Sequence, residues 1–174
     1  MNVTYEYLTL NIRKDLKTLY MNCYKSLGWA VSEDKKDYFL NSKYINKDLK
    51  RNANIIEKDK LNKLQEQSQE IFSNIEKLLN EPKSVATKYA ILISIIGTIF
   101  LAISVFTITL ITPFIWQLFA ICGIIGMVGW ILPYFIYKNI FKKKCEENDI
   151  RIKGQINEID KICVKAKKMI NKVQ

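Results

Sequence analysis

Four cysteines, at positions 23, 122, 145 and 163, are by type the residues of this sequence best suited to chemistry. Thiolates bind zinc or attack electrophiles, and zinc sites carry recognisable ligand spacings. No two of these cysteines form a short C-x-x-C pair, and the chain has no histidine. A metal centre is therefore not expected, nor is any cofactor. The thiols read as reduced and mostly buried. Without histidine the commonest general base is missing. There is also no G-x-S-x-G elbow and no glycine-rich phosphate loop. The carboxylates fall mostly on polar helix faces, where a solvated surface is the ordinary reading. The sequence points away from an enzyme, and no catalytic residue is assigned.

The other chemically suggestive residues are cations. Lys and Arg number 27 against 17 Asp and Glu, a formal net charge of +10. Lys142, Lys143 and Lys144 form a cluster that would attract anionic lipid, at about 1 kcal/mol per basic residue near the surface. The plainer reading is a topology signal, because Glu146 and Glu147 partly cancel the field. Nucleic-acid binding is not expected: the remaining lysines are interleaved with acids, with no basic stripe set among aromatic platforms.

These charges flank a segment of opposite character. From Tyr89 to Tyr137 the chain has no Asp, Glu, Lys or Arg, a run of 49 residues. A membrane helix needs about 20 apolar residues to cross a hydrocarbon core of roughly 30 Å. The run is too long for one span and fits two, at 87–111 and 114–137, joined by a tight turn at Thr112 and Pro113. Helices are the expected form, because backbone polar groups in lipid must be satisfied internally. A soluble helix pair of this length would show a polar face, and none is visible. The run begins far from the N-terminus, which is unlike a signal peptide. Lys83 precedes the first span and Lys88 stands at its inner end, while Lys138, Lys142, Lys143 and Lys144 follow the second. Positive charge collects on the cytoplasmic side, so both termini are expected in the cytoplasm of a cell-membrane, multi-pass protein. Tyr89, Trp130, Tyr134 and Tyr137 fit the inner boundary, and Phe114 and Trp116 the outer one.

Gly123, Gly126 and Gly129 recur every three residues in the second span, and Gly97 lies in the first. Small residues let membrane helices approach closely. Close packing of the two spans, with Gly97 as the facing residue, is the stronger reading. Self-association of copies is compatible with it. Pro133 is expected to kink or locally end the second span, and Pro82 to end or bend the helix before the first.

The flanks complete the plan. Ile12, Leu16, Leu19, Tyr20, Cys23 and Leu27 mark one face of an amphipathic helix stopped by Gly28. Segments at 29–32 and 38–44 read as a β-hairpin, with Trp29 packing against the first helix. Residues 1–46 thus form a small helix-plus-hairpin section. A helix over 47–86 carries the heptad seam Leu61, Leu64, Ser68, Ile71, Ile75, Leu78. The tail, 138–174, carries a second seam: Ile152, Ile156, Ile159, Cys163, Ala166, Ile170, Val173. The fold class is mainly α: a transmembrane hairpin over 87–137 continuing into a cytoplasmic antiparallel helical stalk of residues 55–80 and 149–173. Gly154 is a weak point of that stalk.

Tyr24-Lys25-Ser26-Leu27-Gly28-Trp29, Gly97-Thr98-Ile99-Phe100 and Gly129-Trp130-Ile131-Leu132-Pro133-Tyr134 together resemble an uncharacterised family of small two-span membrane proteins from low-GC Gram-positive bacteria. The abundance of Lys, Asn and Ile also suits an AT-rich bacterial coding sequence. The resemblance implies architecture and assigns no activity. The plan is also broadly like two-span effectors of bacterial defence systems, and architecture alone does not fix function. Two functional expectations follow. One is a non-enzymatic, membrane-anchored interaction or scaffold protein whose partners are the lipid bilayer, a cytoplasmic protein or a second copy. The other is a self-assembling protein that perturbs the membrane or forms a pore. Ionisable groups inside the spans, usual in transporters, are absent.

Overall fold

The computed structural model describes residues 4–33, 43–55, 57–110 and 116–171. Strand β1 (Tyr5–Arg13) passes through a 3-10 turn (Lys14–Leu16) into helix α1 (Lys17–Ser26). Strands β2 (Ala30–Glu33) and β3 (Tyr44–Asn52) follow, then two long helices, α2 (Lys58–Leu110) and α3 (Trp116–Asn171). The chain divides into two compact units, Met1–Ile75 with Lys153–Gln174, and Glu76–Ile152.

The first unit is built on a three-stranded antiparallel sheet in the order β1-β3-β2. β1 pairs with β3 from Tyr5 opposite Asn52 to Arg13 opposite Tyr44. β2 pairs on the other edge, Ala30 with Lys50 and Val31 with Leu49, before a register shift toward Glu33. Alternation puts Leu10 and Ile12 of β1, and Ile45, Lys47, Leu49 and Arg51 of β3, in buried positions. α1 ends in a Schellman motif: the amide of Trp29 donates to the carbonyl of Tyr24, and that of Gly28 to Lys25. Gly28 has φ of +87°, a conformation that disfavours any residue with a Cβ. The turn delivers Trp29 to α2, where its indole N–H donates to Gln65 at 2.9 Å. The Arg51 guanidinium lies over the same ring, 4.5 Å from its centre, and its Nη2 donates to Glu6 and Asn62. Glu6 also pairs with Lys58 at the start of α2. Tyr20 of α1 stacks on Phe72 of α2 with ring centres 3.7 Å apart.

Three sequence expectations are corrected here. The residues taken as the start of the first helix belong partly to β1: Ile12 is a strand residue, and the helix begins at Lys17. Ile12 satisfies both periodicities, lying two residues from Leu10 and four from Leu16, and the competing strand register won. The stretch from 47 is not helical. Lys47 to Asn52 complete β3, and the long helix begins at Lys58. Two of the four buried positions of β3 are cationic, which hides the period of two. The expected hairpin is present as the antiparallel β2–β3 pair, with its second strand later than predicted; residues 38–42 lie outside those described.

In the second unit α2 and α3 run antiparallel. Contacts advance along one helix as they recede along the other: Leu78 with Asn148, Gly97 with Gly129, Leu101 with Gly126, Ser104 with Gly123. Both helices are long and apolar enough to cross a membrane. Only 17% and 11% of their most apolar windows are buried within the chain. Neither proline interrupts its helix: α2 continues through Pro82 and α3 through Pro133. Of the two expected outcomes at each proline, an end or a bend, the end is absent.

Candidate functional site

The interface between α2 and α3 in the second unit gathers most of the residues singled out from the sequence. Gly97 and Gly129 meet backbone to backbone: a Cβ built on Gly129 would lie 2.6 Å from the Cα of Gly97. A Cβ on Gly97 would lie 2.9 Å from the carbonyl carbon of Gly129. A Cβ on Gly126 would strike the side chain of Leu101 at 2.5 Å, and one on Gly123 would press on the Ser104 hydroxyl at 3.3 Å. All four glycines thus face the opposing helix of the same chain. A wrap of small residues around one helix serves a close crossing because backbones can approach only where side chains are missing.

The polar groups of this interface are occupied internally. Ser94, Thr98 and Thr107 donate to the carbonyls of Ala90, Ser94 and Ile103 on their own helix. Ser104 donates across to the Phe119 carbonyl at 3.0 Å. The Trp130 indole N–H donates to the Thr98 hydroxyl at 3.3 Å. The tight turn at Thr112 and Pro113 lies outside the described residues.

Asn148, which the sequence reading passed over, holds the other end of this interface. Proline has no N–H, so Pro82 cannot bond the carbonyl four residues back. That carbonyl belongs to Leu78. The Asn148 side-chain amide donates to it at 2.8 Å, and to the Glu81 carboxylate at 2.9 Å. Asn148 is 2% exposed, so these bonds form away from bulk water. The missing helical donor is supplied by the opposite helix. Pro133 leaves the Gly129 carbonyl in the same position. There the hydrogen that Gly97 carries in place of a side chain points at the carbonyl group, whose oxygen would be 3.1 Å from a Cβ at 97. Each proline thus turns an orphaned carbonyl toward the partner helix. Extending the second heptad seam four residues back from Ile152 would have found Asn148.

The flanking cations divide by environment. Lys83, Lys88, Lys138, Lys142 and Lys143 are exposed, and Lys144 is partly covered. Lys144 pairs with Glu147 at 2.8 Å, and Lys142 approaches Glu146 at 4.0 Å. The hydrogen bond between them raises the Lys144 ammonium above its ordinary value and lowers the Glu147 carboxyl. The acids that follow the cluster therefore do offset part of its charge.

No family model, curated protein or solved structure matches this chain. The resemblance noted above therefore contributes no residue roles, and function is argued from the geometry alone.

In the first unit Cys23 of α1 is fully buried between the two long helices' side chains, in hydrogen-bonding contact with Ser68 of α2 and Cys163 of α3. Burial first, and the neighbouring Cys163 second, push the Cys23 thiol up to about 12. A thiol held protonated is a poor nucleophile and a poor metal ligand. Ser68, the small polar interruption in the first seam, makes room for this sulfur. The two seams accordingly meet α1 as well, with Leu61, Leu64, Phe72 and Ile75 of α2 and Ile159 and Ala166 of α3 buried.

Proposed function

We propose that the chain is a two-pass integral membrane protein that acts without catalysis as a membrane-anchored interaction or scaffold protein. The observation that carries this reading is the contrast between its two units. One presents two long apolar helices whose outward faces no protein covers, packed on each other through glycine. The other is a folded sheet-and-helix unit with its own apolar core. A bilayer is the solvent that suits the first, and an aqueous compartment suits the second. With the positive charges Lys83, Lys88, Lys138, Lys142, Lys143 and Lys144 flanking the spans, the folded unit and both termini lie in the cytoplasm.

A pore-forming or membrane-perturbing role is the second reading, favoured by the broad exposed apolar surface that several copies could share, including Ile121, Ile124 and Met127. Against it, the span hydroxyls at 94, 98, 104 and 107 already donate to backbone carbonyls, so their donors need no water-filled lumen. The two readings separate on expression in a bacterial host. A scaffold leaves growth and membrane integrity intact and co-purifies with a partner in mild detergent. Growth arrest with entry of a membrane-impermeant dye overturns the scaffold reading.

A further inference from the structure

The first unit carries a groove along α3, reaching α1, whose described lining is mostly lysine. Two adjoining hollows of about 600 and 430 Å³ share Asp160 and Val164. Among the described residues Asn22 and Lys25 of α1 line the larger hollow with Lys167 of α3, and Lys161, Lys165 and Lys168 of α3 line the smaller. Lys161, Val164, Lys165 and Lys168 follow steps of three, one and three, which places them on one helix face. Like charges at such spacing repel along an isolated helix. Among the described residues none of the five lysines forms an ion pair, whereas Lys142 and Lys144 beside the spans both meet glutamates. Within this charged frame Val164 is 53% exposed, an apolar spot without a partner.

We infer that this groove is the docking site for an acidic segment of a partner protein, with carboxylates on the lysines and an apolar side chain on Val164. The inference rests on the reading of the chain as an interaction protein and names the chemistry of what it binds. Complementary charge steers such encounters and rejects wrong partners. A peptide suits the groove better than a nucleic acid. Among the described residues no aromatic side chain lines it to stack a base. The Asp160 carboxylate and the Asn22 amide, both lining the groove, can pair with a peptide backbone.

The test uses the full chain in phosphatidylcholine nanodiscs and a fluorescein-labelled, glutamate-rich peptide carrying leucines, read by anisotropy. Saturable, salt-sensitive binding is expected. Reversal of the groove, Lys161→Glu with Lys165→Glu and Lys168→Glu, is expected to weaken it by about tenfold or more. The matched control, Lys17→Glu with Lys63→Glu and Lys77→Glu, is expected to leave it within about twofold. Val164→Ser, which keeps every charge, is expected to weaken it severalfold. Equal losses in the reversal and the control overturn the inference, as does tighter binding of an oligothymidine at the same lysines. If the peptide fails to bind the parent chain while that chain still co-purifies with a partner in detergent, the groove is overturned and the scaffold reading stands. Peptide binding at the groove in a protein that also admits dye to cells supports the groove and removes the scaffold reading.

Discussion

The side-chain amide of Asn148 donates to the backbone carbonyl of Leu78, the group that Pro82 deprives of its helical partner. The proline and the asparagine are 66 residues apart in sequence and act as one device. Pro82 opens a polar site on α2 that one side chain of α3 fills, which fixes the register of the two helices. A buried polar side chain at a helix seam commonly specifies register at a cost in stability.

This relationship makes a coupling prediction. Asn148→Leu removes the donor and leaves the Leu78 carbonyl buried and unbonded, at a cost of about 1–3 kcal/mol. In a Pro82→Ala background the restored N–H bonds the same carbonyl, and the cost of Asn148→Leu falls by about 1 kcal/mol. A double-mutant cycle from denaturant titration in detergent micelles measures this. Strict additivity would sink the proposed link between the two residues.

The same change at two glycines is expected to act in opposite directions. Gly129→Ala drives a methyl to within 2.6 Å of the Gly97 Cα, so the helices must separate, at about 1–3 kcal/mol. Around Gly154 a Cβ meets nothing within 4 Å. Gly154→Ala therefore gains helix propensity alone, about 1 kcal/mol of stabilisation. Thermal melts of the two variants in one detergent should bracket the parent.

Glu6 sets a pH dependence for the sheet. The hydrogen bond from Lys58, then that from Arg51, holds its carboxyl below the ordinary value of 4.5. A carboxyl depressed on folding contributes stability above its unfolded value and loses it as pH falls through the folded one. The parent is thus expected to lose stability as pH drops below 4.5, and Glu6→Gln to flatten that limb while lowering stability at neutral pH. Parallel acid limbs in the two proteins would show that another group governs the loss.

Thiol labelling reports on the first unit. Cys145 and Cys163 are partly exposed, and Cys23 and Cys122 are buried. At mildly alkaline pH a maleimide should modify Cys145 and Cys163 well before Cys23, whose thiol is both covered and raised to about 12. In a Cys122→Ala, Cys145→Ala background, the contact with Cys163 predicts that an added diazene oxidant links residues 23 and 163 within one chain. Peptide mass mapping reads both results. Early labelling of Cys23 in the folded protein would contradict its burial.

The sequence by itself determined the two long apolar helices, the charge-free run between dense lysines and the amphipathic seams around them. These are one-dimensional signals: length, hydropathy and period are written along the chain, and Leu61, Leu64, Ser68 and Ile75 are buried as their spacing requires. Tertiary structure alone decided where local signals conflict or where two distant residues complete one another. Ile12 fits a helix and a strand equally, and pairing with β3 opposite Ile45 settles it. Lys47 and Arg51 look solvated by type, yet the sheet buries them, and Glu6, Asn62 and the Trp29 ring receive the Arg51 charge. Pro82 reads as a helix end or bend, because local rules count only donors on the same helix. The donor to the carbonyl it leaves open comes from Asn148 on α3, and a hydrogen bond between helices has no periodicity to reveal it.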